Sequence, residues 1–156
     1  MAQAAQQIEI TPPLHMRQFE RPDLDTHGKW LLPRLLQTYP HLNDRSVANW
    51  LLTMLYNNEY KFLFQNTGVA CAQVVSSHTL APKPMIYERF VWIEDRKNVQ
   101  QQQDAAFFYD EFYRWAKLLG ADPIIVEEAS DVPHEMIRAR LGGRIFTREQ
   151  KFARMS

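Results

Sequence analysis

The chain has 156 residues, with 18 basic against 18 acidic side chains and a single cysteine. That length suits one domain, and a hydrophobic share of 46% is enough to bury a core. Zero formal net charge argues against a broadly basic nucleic-acid binder, no apolar run approaches a membrane span, and the lone Cys71 excludes an internal disulfide.

Residues 1–13, MAQAAQQIEITPP, lack the basic start and apolar centre of a signal peptide. They read as a loose arm before a single domain over 14–156, and a cytoplasmic protein is expected. LHMRQFERPDL sets Leu14, Met16 and Gln18 against His15, Arg17 and Phe19, which predicts a first strand closing at Pro22. Asp23 is placed to cap a helix towards Tyr39. Leu24, Leu31 and Leu35 recur there at helical spacing, with Gly28 and Pro33 weakening or breaking the run. A second helix is expected over Arg45–Tyr56, with Val47, Leu51, Met54 and Leu55 on one stripe. The period then changes. KFLFQNTGVACAQVVSS reads as a hairpin turning at Asn66-Thr67-Gly68, with Cys71 a small buried strand residue. HTLAPKP is a loop, and MIYERFVWI, residues 85–93, is a strand.

Ala105, Phe108, Phe112, Trp115 and Leu119 step by three and four, which predicts a helix from about Gln102 to Leu119, stopped by Gly120. Phe107, Tyr109, Tyr113 and Trp115 either broaden its core face or form a partner surface. DPIIVEEA is a short strand. SDVPHEMIRARLGG is a helix with Ser130 or Asp131 before it, Pro133 in its first turn and Gly142 after it, and RIFTREQKFARM alternates as a last strand. The order β-α-α-β-β-β-α-β-α-β gives an α+β protein. Its mixed, mostly antiparallel sheet has about six strands and helices on both faces. One right-handed parallel βαβ crossover runs through 102–119, and the remaining strands pair as antiparallel hairpins.

WAKLLGADPIIVEEASDVPHEMIRARLGGRIFTREQKFARM, residues 115–155, runs from a helix ending in LGA through a strand and a short helix ending in LG to a final strand. This rhythm, with the element order over most of 14–155, resembles the GNAT superfamily of acyl-CoA-dependent N-acyltransferases. The resemblance implies a GNAT-like fold, acetyl-CoA as cofactor, and transfer to an amine on a small molecule or a protein. The family's pyrophosphate loop reads Gln or Arg, two residues, Gly, one residue, then Gly or Ala. It falls on QQQQDA, residues 100–105, where Gln100 and Ala105 fit the ends and Gln103 stands at the central glycine. Such a loop works because unpaired N–H groups at a helix N-terminus hold phosphate, and glycine lets the backbone come close. Asp104 would compete with that phosphate and repel it. Arg96 and Lys97 would contact the CoA phosphates, or else form a solvated turn. The backbone N–H groups of Val91, Trp92 and Ile93 would polarise the thioester carbonyl.

The resemblance places the base on the same strand, at Glu88, to take the acceptor's proton. The blander reading of Glu88 is a surface carboxylate beside Arg89. Glu127 and Glu128 end the next strand on opposite sides, and Glu127 is a candidate for holding the amine. The family's leaving-group tyrosine, four residues before the terminal glycine, is Arg138 here, a poor proton donor. His134, one turn away, is either its substitute or a helix-start surface residue. No metal site is expected. The missing glycine, Asp104 and Arg138 also support a second hypothesis, a GNAT-fold protein without catalysis that serves as a binding or structural subunit with a protein partner or as a homo-oligomer. Degenerate proteins of this kind occur in bacteriophage genomes. In that case Gln103 and Asp104 should close the helix N-terminus.

Overall fold

The computed structural model describes residues 16–76, 83–121, 125–127 and 129–147. Among these residues six strands form one sheet in chain order: β1 (Arg17–Gln18), β2 (Tyr60–Gln65), β3 (Gly68–Val75), β4 (Met85–Ile93), β5 (Ile125–Glu127) and β6 (Ile145–Thr147). Neighbours from β1 to β4 are antiparallel, whereas β4–β5 and β5–β6 are parallel. The α-helices among the described residues cover the sheet: α1 (Leu24–Thr38), α2 (Asp44–Tyr56), α3 (Val99–Leu118) and α4 (His134–Leu141). The sequence predicts one parallel crossover, and the sheet has two. The last strand returns through α4, so it lies parallel to β5 rather than forming a hairpin. A helix that covers a sheet face carries the chain back to its starting end.

Alternation on the strands sends two sets of side chains to two faces. Phe62, Phe64, Val69, Cys71, Phe90 and Trp92 meet Leu31 and Leu35 of α1 and Val47, Leu51 and Met54 of α2. Ala70, Ala72, Ile86, Val91 and Ile93 meet Phe108 and Phe112 of α3 and Ile137 and Leu141 of α4. The small alanines of β3 make room for the phenylalanines of α3. Each large apolar side chain fully buried in this way stabilises the fold by about 1.5–3 kcal/mol. Tyr109 is buried in the same core, and Phe107 is buried beneath the Arg140 guanidinium, so both are interior.

Several boundaries differ from the sequence reading. Among the described residues the first strand is Arg17–Gln18, Phe19 after it is buried, and a 3₁₀ turn over Arg21–Asp23 follows; Leu14 and His15 lie outside the described residues. Asp23 precedes α1, but its carboxylate makes no cap bond to that helix. It turns back to the Arg17 guanidinium and the Glu20 N–H instead. Pro33 does not break α1: it and Lys29 are both exposed, so the carbonyl that proline leaves without a donor faces water. Leu119 is 45% exposed and lies past the end of α3. Gly120 takes φ 66°, and the Ala121 N–H bonds back to the Ala116 carbonyl.

Candidate functional site

β4 organises the site. It pairs with β3 along its length, but Cys71 faces Phe90 while Ala72 faces Glu88, so Arg89 is an extra residue, a bulge. The bulge reverses the pleat. Ile86 and Glu88 point towards α3 before it and Val91 and Ile93 after it, while Phe90 and Trp92 go to the α1–α2 side. On the opposite edge of β4, β5 pairs only at Ile86 and Tyr87. Past that point the two parallel strands part.

The side chain of Glu88 enters the parting and is fully buried. One carboxylate oxygen accepts the Tyr109 hydroxyl at 2.6 Å, and the other accepts the Ala129 N–H at 2.8 Å. Ser130 Oγ lies 2.7 Å from the Tyr109 oxygen. The phenol has a single proton, given to Glu88, so Ser130 is the donor there.

The seam then closes again. The Val91 N–H donates to the Ala129 carbonyl at 2.9 Å, and the Val91 carbonyl accepts the Asp131 N–H at 2.9 Å. The Ile93 N–H donates to the Asp131 carboxylate at 3.0 Å, and the Ile93 carbonyl accepts from Arg34 at 3.1 Å. Arg34 reaches from α1 across the end of the sheet and ion-pairs with Asp131. Its guanidinium carbon lies 4.9 Å from the centre of the Trp92 ring. Burial lowers the Arg34 pKa from its ordinary value, and Asp131 opposes that shift. Arg96, on the exposed side, brings its Nε within 3.7 Å of the same carboxylate.

The start of α3 is also closed, in a different way from the sequence reading. The helix begins at Val99, so the glutamine run is helix and not loop. Asn98 caps it, accepting the Gln101 N–H at 3.0 Å. Gln101 reaches back to the Asp95 N–H at 3.0 Å, and Gln102 donates to the Arg96 carbonyl at 2.8 Å. Gln100 donates to Asp104 at 3.1 Å, one helical turn on. Gln103 is exposed, Ala105 is core, and Lys97 is exposed with its N–H on Asp95. The expectation that Gln103 and Asp104 close the helix is corrected to Asn98, assisted by Gln101.

The structure thus brings together Glu88, Val91 and Ile93, packs Ala105 of α3 into the same core as Val91 and Ile93, and leaves Gln100 and Gln103 exposed. Trp92 pairs with Val69 of β3 on the other side of the strand. His134 is the first residue of α4, half-buried, and Arg138 is exposed. The Glu127 side chain and Glu128 lie outside the described residues. Sequence reading did not single out Arg34 or Tyr109 for the site and took Ser130 and Asp131 as helix caps. The one available signal is Arg34 itself, a charge inside the apolar run WLLPRLL. In this arrangement the described residues do not fit an acyl-CoA arm along β4, because its donors on that edge are taken by residues 129–131. Among the described residues no group of three or more His, Cys, Asp or Glu could hold a metal, and no helix is long and apolar enough to cross a membrane.

The sequence matches no protein-family model and no curated protein. The fold does find relatives among solved structures. A probable acetyltransferase aligns over 83% of this chain and 89% of its own, with a TM-score of 0.59 at 14% identity. The aminoglycoside antibiotic 6'-N-acetyltransferase AAC(6')-Ih from Acinetobacter baumannii covers 82% of this chain and 88% of its own, with a TM-score of 0.55 at 14% identity. AAC(6')-IG from Acinetobacter haemolyticus covers 83% and 90%, with a TM-score of 0.53 at 12% identity. By these alignments the chain has the fold of the GNAT acetyltransferases.

Proposed function

We propose that this chain is a catalytically silent GNAT-fold protein that works as a binding or structural subunit. The observation that carries the reading is the occupied edge of β4. The Val91 and Ile93 N–H groups, which would have to polarise a thioester, are bonded to Ala129 and Asp131. The capped start of α3 and Arg138 in place of a leaving-group tyrosine support it. The partner in this reading is another protein chain, including a second copy of this one. An apolar groove of about 310 Å³ between α1 and α2, with Leu32 and Leu52 exposed, favours apolar side chains over a small polar ligand.

The test is thermal unfolding of the purified chain with and without acetyl-CoA. A ligand that binds only the folded state raises the midpoint by mass action, so silence predicts no shift at millimolar acetyl-CoA. A clear upward shift would overturn the reading.

The fold itself favours a second reading, because the solved structures that share it are named as acetyltransferases. On that reading the chain is an acyl-CoA-dependent N-acyltransferase that transfers an acetyl group from acetyl-CoA to an amine acceptor. Glu88 and His134 are then its candidates for proton transfer, Glu127 for holding the amine, and Arg96 and Lys97 for phosphate contact. It requires residues 129–131 to leave β4 first, and a positive acetyl-CoA melt is its entry condition.

A further inference from the structure

The closure of the β4 edge is built unlike the rest of the sheet. Strands elsewhere are joined by peptide ladders. Here β5 contributes two paired residues, and the edge beyond them is held by Ala129–Asp131, whose backbone pairs with β4 at the Val91–Ser130 bridge. Two contacts across this seam go to carboxylates instead of peptide groups: Ala129 N–H to Glu88, and Ile93 N–H to Asp131. The Asp131 carboxylate is itself 90% buried by its surroundings and neutralised from α1 by Arg34, which is equally enclosed, while Arg96 stands 3.7 Å away on the exposed side and draws a released carboxylate outward. A buried carboxylate whose cation is removed is strongly driven back to water.

We propose that Ala129–Asp131 is a strap over the β4 edge that opens as one unit, with Arg34 as its latch. Opening frees the Val91 N–H, the Val91 carbonyl and the Ile93 N–H together, leaving β3–β4 pairing intact. Since Val91 faces the strap, Phe90 and Trp92 direct their peptide groups to β3. The inference rests on the closed edge described above. The acetyl-CoA melt tests that functional reading, and amide exchange tests the strap without any ligand.

The experiment is residue-resolved amide hydrogen exchange by NMR on the whole chain. In the unaltered protein the Val91, Ile93 and Asp131 amides should exchange at one common rate, faster than Phe90 and Trp92. In Arg34→Met those three should speed up by about tenfold or more, while Phe90 and Trp92 stay slow. Arg34→Lys keeps the charge and should fall between the two. If all five amides accelerate alike in Arg34→Met, the pair merely stabilises the whole fold and the strap is wrong. Unchanged rates would also overturn it. Should Arg34→Met not fold, the common rate in the unaltered protein and the graded effect of Arg34→Lys decide the matter.

Discussion

Single residues carry two of the sharpest expectations. Gly68 opens β3 without a positive φ, so its value is space rather than backbone freedom. A Cβ there would lie 2.9 Å from the Trp92 carbonyl oxygen and 3.2 Å from Ile93 Cγ2. The first of these atoms is backbone in a paired strand and has little room to yield. Gly68→Ala should cost about 1–3 kcal/mol, read as a lower urea midpoint. An unchanged midpoint would show that β4 moves aside freely. Asp23 gives a pH signature. The Arg17 guanidinium, more than the Glu20 N–H, holds its carboxyl below the usual carboxylate range, against the opposing effect of burial. Because the folded pKa is the lower one, this stabilisation is present above about pH 4, the unfolded value, and fades as pH falls through the folded value. The stability gap between the unaltered protein and Asp23→Asn should therefore shrink from pH 7 to pH 3. A gap independent of pH would remove the ion pair from the explanation.

At the scale of elements, α3 shows what residue patterns reveal and what they hide. The apolar stripe of Ala105, Phe108 and Phe112 located the helix, because burial on one face imposes the spacing. Its beginning was misplaced because four glutamines carry no periodic signal. Yet Asn98-Val-Gln-Gln101 has the spacing of a capping box, with the side chain of the first residue on the N–H of the fourth. Gln101 then stitches the turn before the helix by reaching Asp95. Asn98→Ala should lower stability by about 1 kcal/mol, since α3 holds one whole face of the core. Equilibrium unfolding in urea with an unchanged slope would check it, and no loss would mean that Gln101 closes the helix alone. Strand β4 offers a similar lesson. Its alternation reads cleanly up to Glu88 and from Phe90 onwards but is out of phase between them, and the bulge at Arg89 accounts for the change.

For the whole molecule, the question is whether a shared fold brings shared chemistry. The fold aligns with those of acetyltransferases at 12–14% identity, which speaks for the fold and not for the site. The site depends on which groups occupy one strand edge. Here an internal segment holds that edge, so the expected acetyl-CoA result is a melting point that does not move. That outcome would place the chain with proteins that use the scaffold as a surface.

The sequence by itself determined the elements and most of the topology, because strand and helix periods and the turn residues between them are local properties. It determined the two-faced sheet for the same reason. Only the tertiary structure decided the parallel return of β6 and the closure of the β4 edge by residues 129–131. Glu88 meets Ala129 across 41 positions of chain, and Arg34 meets Asp131 across 97. No spacing rule reaches that far: which carboxylate turns inward is fixed by the packed shape of the sheet end, where burial makes every donor and cation demand a partner.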